Sequence, residues 1–153
     1  LNVNDAGNPK ETLYAHAGGD EGLHRLEEIF YEKALADRFS ASFSLTGWRP
    51  MSMTWFTAES FGGPARFTEA LGFGYLIDVH RNLAAITNEQ RERFVTAYLE
   101  SLDEAGLPDD EPFRRAVREH VEFGAEVAQQ NPAAQTDDQL HPIREVPRWN
   151  WAD

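Results

Sequence analysis

Apolar residues recur at steps of three and four from Leu23 through Leu26 and Phe30 to Ala34, which is the spacing of one helix face. Ile29 and Tyr31 flank that stripe and widen the face it would bury. Asp20, just after Gly18-Gly19, is placed to cap the start of this helix. Phe39 to Ser44 and then Thr46-Gly47 break the period and read as a connection. A second helix is expected from about Pro50 to Ser60, carrying Met51, Met53, Trp55 and Phe56. Gly62-Gly63-Pro64 must end it, because proline lacks a backbone donor and glycine is the usual residue past a helix end. Pro64 suits the first turn of a short helix running through Phe67 and Leu71 to Gly72. Gly72-Phe73-Gly74 breaks the chain again, ahead of a helical turn or two with Leu76, Val79 and His80.

Thr87-Asn88-Glu89-Gln90 has the form of a capping box. It opens a long helix with Phe94, Tyr98, Leu102 and Ala105 on one stripe, closed by Gly106 and Pro108. A last helix begins near Asp109 to Pro112 and runs to about Gln130, with Phe113, Val117, His120, Val121, Gly124 and Val127-Ala128 on its stripe. No strand-like alternation competes with this reading and no internal repeat is visible, so the fold class is all-α. The organisation expected is a flexible lead-in over 1–10, one domain over 11–131 and a polar C-terminal extension over 132–153. Trp149 and Trp151 in that extension would leave large apolar surfaces in water if free, so they should dock on the domain or on a second subunit.

With 153 residues, 41% of them hydrophobic, the chain has enough apolar material for one domain with a real core. Its 14 basic residues against 26 acidic ones, a net charge of −12, argue against nucleic acid as a partner and against an anionic membrane surface. No apolar run approaches a membrane span and the N-terminus lacks the pattern of a signal peptide, so a cytoplasmic location is the default. Cysteine is absent, which excludes disulfides, thiolate zinc sites, iron–sulfur clusters and haem attached through Cys-x-x-Cys-His.

Five histidines remain as metal candidates: His16, His24, His80, His120 and His141. None is spaced three or four residues from another, so helical His-Glu-x-x-His zinc chemistry is absent. Only Glu21 with His24 has Glu-x-x-His spacing, and a di-iron bundle needs two such pairs. What remains is a metal held by one protein ligand, chiefly haem. His16, His24 and His141 suit surface or capping roles, and His120, in an apolar stripe, a satisfied place in the core. His80 lies in apolar company after a glycine-broken hinge. Taken alone, it suits a structural role at least as well as an iron ligand.

Ala17-Gly18-Gly19, Phe30-Tyr31, Phe56 followed by Phe61-Gly62-Gly63-Pro64, His80-Arg81 and Val121-Glu122-Phe123-Gly124 occur in an order and spacing that resembles the group II truncated haemoglobins. The tail Val146-Pro147-Arg148-Trp149-Asn150-Trp151 is similar to one bacterial branch of that group. The resemblance implies a two-over-two globin fold, two antiparallel helix pairs enclosing haem b, and His80 as proximal iron ligand with the sixth position open to O2 or another diatomic gas. It implies Tyr31 as the distal tyrosine that donates to the bound gas. It also implies that Phe56 and Met53 pack on the porphyrin, with Phe43, or Ser44 in its place, against the haem, and Arg81 and Tyr75 within reach of the propionates. Two positions depart from the group. Phe94 stands where a tryptophan is usual and removes an indole donor. Arg49 stands at a distal site that often holds alanine or histidine, and it could replace that donor, neutralise a propionate or point into solvent.

Reversible gas binding is the expected role. The same site could support NO oxidation or peroxide turnover, so carrier and haem oxidoreductase are left open, as are a homodimer and the identity of any reductase partner. A haem-free helical interaction module using the tryptophan tail is the alternative.

Overall fold

Side-chain caps and buried stripes set the helices along this chain. The computed structural model describes residues 11–36, 50–75, 86–134, 136 and 145–149. Thr12 caps α1 (Leu13–His16), its hydroxyl accepting from the Ala15 backbone N–H. α2 (Gly19–Ala36) buries Leu23, Leu26, Phe30 and Ala34, the stripe read from the sequence. α3 spans Pro50–Ser60, and α4 is the short Arg66–Ala70. α5 (Asn88–Glu104) starts with the expected capping box, Thr87 and Gln90 each accepting from the other's backbone N–H. α6 (Glu111–Ala133) is capped by Asp110 and runs one turn further than its sequence suggests. Among the described residues all regular elements are helical, and no helix is long and apolar enough to cross a membrane.

α2 packs on both α3 and α5, and α5 packs on α6. The result is two helix pairs, α2 with α3 and α5 with α6, layered where α2 meets α5. Phe30 sits at that crossing, edge-on to Phe94 and Tyr98 with ring centroids 5.0 and 5.1 Å away. Leu23, Leu102, Phe113 and Val117 are fully buried around it and form the centre of the core. A second apolar cluster, Phe56, Phe67, Phe73 and Val146, lies beside α3 and α4.

The C-terminal end of α3 is a junction. Its last carbonyls have no partner within the helix and need one elsewhere. Ala58 O accepts from Gly63 N at 2.8 Å, Ser60 O from Trp149 N at 2.8 Å, and Phe61 O from Tyr14 N at 2.9 Å. Glu59 O accepts from the Arg148 guanidinium at 3.0 Å. The buried Glu59 carboxylate accepts from the backbone and hydroxyl of Thr68, which ties α4 to α3. The first helix and the tail thus cap the same helix end.

Two local expectations are corrected. Asp20 does not cap α2, which begins at Gly19; its carboxylate instead accepts from Tyr14 Oη at 3.0 Å and Arg66 at 2.6 Å. Pro64 does not open the short helix, which starts two residues later at Arg66. His16 keeps a part-exposed position, in line with its expected surface or capping role, and bridges Glu11 and the α6 cap Asp110 at 2.8 and 2.7 Å, with its ring on Phe113. Partial burial opposes protonation of His16, yet Asp110 and Glu11 together raise its pKa above the ordinary imidazole value.

Candidate functional site

The stripes that build the two helix pairs leave a cavity between them. Its walls are Glu27 from α2, Met53, Phe56 and Thr57 from α3, Phe94 and Tyr98 from α5, and a stretch of α6 that includes His120, Val121, Phe123, Gly124 and Val127. Most of this lining is apolar. One corner is polar, where Glu27, Thr57, Tyr98 and His120 meet.

In that corner Glu27 Oε2 accepts from Tyr98 Oη at 2.6 Å and from Thr57 Oγ1 at 3.0 Å. Burial pushes the Glu27 carboxyl up to about 7, against the two hydrogen bonds that favour its charged form. The Tyr98 phenol is driven well above its ordinary value, by burial first and then by the charge on Glu27. His120 is buried, and desolvation lowers its pKa to about 4, so the imidazole is neutral at pH 7. The Trp149 indole can only donate, and its Nε1 lies 2.9 Å from His120 Nδ1. Nδ1 is therefore the acceptor, and Nε2 carries the proton and faces Thr57 Oγ1 at 3.5 Å. Trp149 also packs edge-on to His120 and Phe123. Docking of this indole on the domain agrees with the expectation from its apolar surface; Trp151 lies outside the described residues.

Of the residues singled out in the sequence, Met53, Phe56 and Phe94 come together in this cavity. Tyr75 stands 6.3 Å from Phe67 in the neighbouring cluster that also holds Phe56. Tyr31 is half-buried against the same core as Phe94 and is not part of the cavity wall. His80, Arg81, Phe43, Ser44 and Arg49 lie outside the described residues, as does His141. His24 hydrogen-bonds Thr54 at 3.1 Å and lies 3.4 Å from Glu28, as suits a capped surface position. Sequence reasoning missed Glu27, although the signal was present: it sits four residues after Leu23 and three before Phe30, on the buried stripe. Tyr98 lies on the apolar stripe of α5, and its spacing alone does not mark its hydroxyl as a partner for a buried acid.

An all-helical two-layer sandwich around a mainly apolar pocket with one polar corner is the architecture on which this chain matches solved truncated haemoglobins. The chain belongs to the bacterial-like globin family, whose model matches residues 12–129. The haemoglobin of the thermophilic phototroph Chloroflexus aurantiacus is similar at 27% identity, over 78% of this chain and 98% of that one, with a TM-score of 0.63. The truncated oxygen-avid haemoglobin of Bacillus subtilis shares 26% identity over 76% of this chain and 97% of that one, TM-score 0.63. The group II truncated haemoglobin of Bacillus anthracis, at 22% identity, covers 86% of this chain and 99% of its own with a TM-score of 0.68, and shows likeness of fold. No curated protein sequence matches.

Globin membership implies haem, and the pocket residues fit that group. Gly124 lines the cavity, and a Cβ placed there would meet no described atom within 4 Å, so α6 sets no side chain of its own into the mainly apolar lining at this position. Both nitrogens of His120 are engaged, so this histidine is not free to ligate iron. Among the described residues no group of three or more His, Asp or Glu is arranged to hold a metal ion. The ring's space can be tested by filling it. Gly124→Ala should raise the stability of the haem-free protein by about 0.5–1 kcal/mol, since Gly is a poor helix former and the added methyl meets nothing. Gly124→Leu should instead cut haem uptake at least roughly tenfold in a Soret titration, by occupying apolar space that the ring would fill.

Proposed function

We propose that this chain is a haem b globin that binds O2 or another diatomic gas at an iron held by His80. The observation that carries the reading is the pocket itself: apolar walls from both helix pairs, a glycine in its α6 lining and one hydrogen-bonding corner, all within a globin fold. When bound, haem supplies an iron with one open position for the gas. The chain's own residues do the rest. Met53, Phe56 and Phe94 keep water from the ring's faces. Phe43 adds to that packing, and Arg81 and Tyr75 hold the propionates. Tyr31 serves the distal side as a hydrogen-bond donor, Arg49 stands at the distal site to replace the missing indole donor, neutralise a propionate or point into solvent, and the name of the Bacillus subtilis relative, oxygen-avid, is consistent with such a site.

The globin domain covers 11–131, with a lead-in over 1–10 and an extension over 132–153. NO- or peroxide-linked turnover at the same site, a homodimer and cytoplasmic residence belong to this proposal as its finer parts.

Purified protein supplied with haem should show a Soret band. Replacing His80 with glycine should abolish the five-coordinate histidine signature, and added imidazole should restore it. A Soret spectrum and iron–histidine stretch unchanged by His80→Gly would remove His80 from the role, and absence of any Soret band would leave the haem-free module as the better account.

A further inference from the structure

The polar corner of the pocket is more than a satisfied core contact. Both bonds to the Glu27 side chain, from Tyr98 Oη and Thr57 Oγ1, end on the same oxygen, Oε2. A carbonyl oxygen has two lone pairs and can take both, so these contacts persist when the carboxyl is neutral and its proton sits on the other oxygen, Oε1. The hydrogens behind this pair run one way. Trp149 donates to His120 Nδ1, His120 Nε2–H faces Thr57, and Thr57 donates to Glu27. Glu27 is the terminus of that chain, and it lines the cavity with Phe94, which has no donor to offer.

We propose that Glu27 is a hydrogen-bond donor to ligands held in this pocket: its neutral carboxyl offers Oε1–H to a small molecule bearing a partly negative atom, and ionisation withdraws that donor. This rests on the haem-globin reading for the ligand's position and extends it to a residue of the pocket interior. The titratable groups around the carboxyl are Tyr98 from α5 and His120 from α6, both neutral at pH 7. α3 presents the neutral Thr57, its acid Glu59 being turned to Thr68 and Arg148. On α2 itself His24 and Tyr31 lie about one turn away on either side. Glu27 therefore changes charge among partners that do not, and its protonation near pH 7 is expected to be a single step.

The test uses the 153-residue chain with and without haem. Without haem, infrared spectra from pH 5 to 9 should show a buried neutral-carboxyl band that disappears with a midpoint near 7 and is missing from Glu27→Gln. Tyr98→Phe removes a donor that favours the carboxylate, so the midpoint should move upward. With ferrous haem and carbon monoxide as the probe, the C–O stretch should shift through the same midpoint in the parent and hold constant in Glu27→Gln. A carboxyl that serves structure alone would leave the C–O stretch unmoved. Absence of the titrating band overturns the proposal, and so does a titrating band accompanied by a pH-independent C–O stretch. If no Soret band forms at all, the haem reading fails and the donor role fails with it, while the infrared band still reports on Glu27 separately.

Discussion

Gly63→Ala is expected to destabilise the fold by about 2–3 kcal/mol, because the new Cβ has nowhere to go. It would lie 2.6 Å from Tyr14 Cδ1 and 2.9 Å from the Ala58 carbonyl oxygen. The Tyr14 ring cannot swing aside freely: its hydroxyl is held by Asp20, and its backbone N–H is bonded to Phe61 O. The Ala58 carbonyl cannot retreat either, since it accepts from Gly63 N and Phe61 N. For a domain of this size the loss corresponds to a fall of about 5–10 °C in Tm. Trimming the ring in a Gly63→Ala/Tyr14→Ala double variant should recover part of that loss. Purely additive effects would show that the ring is not the obstacle.

The second large effect concerns pH. Glu27, with a folded-state pKa of about 7 against an ordinary 4.5, binds its proton more tightly when folded. Its contribution to stability is therefore intact below pH 4.5 and falls by about 3 kcal/mol as pH rises to 7. His120 works with the opposite sign. Its folded value of about 4 against an ordinary 6.5 means that folding excludes a proton, so stability rises with pH through that window. The two slopes nearly cancel between pH 4.5 and 6.5, and the parent protein should show a flat profile there. Glu27→Gln keeps an oxygen for Tyr98 and Thr57 to bond while removing the titration. Urea unfolding at a series of pH values should then reveal the His120 slope, the variant gaining about 3 kcal/mol on the parent between pH 4.5 and 7. A gap between parent and variant that does not change with pH would mean that Glu27 titrates normally in the fold.

What could be read from the sequence was whatever contiguous residues encode. Thr87 and Gln90 are three apart, and their reciprocal cap follows from chemistry that needs no partner elsewhere. The bounds of α3 were legible because Gly62-Gly63-Pro64 stops a helix in any context. Asp20 was misread for the converse reason: it has the right chemistry for a cap, but Arg66, 46 residues away, takes its carboxylate. The candidate site divides the same way. Met53, Phe56 and Phe94 were found through apolar spacing and family likeness and do share the cavity. Glu27 was passed over because an acid on a buried stripe looks like an exception until Tyr98, 71 residues away, and Thr57 are seen to receive it.

The junction at the end of α3 sets an order of events during synthesis. Its terminal carbonyls are completed by Tyr14, which precedes α3 in the chain, and by Arg148, 89 residues beyond Glu59. Contacts that span so much chain form late, because loop closure must precede them. A nascent chain can assemble α2 and α3 and even pair them with α5, yet α3 stays frayed at its end until residues 148 and 149 have emerged. The tail thus acts as a closing clasp: the contacts that complete the end of α3 come from a segment that follows every helix of the described fold.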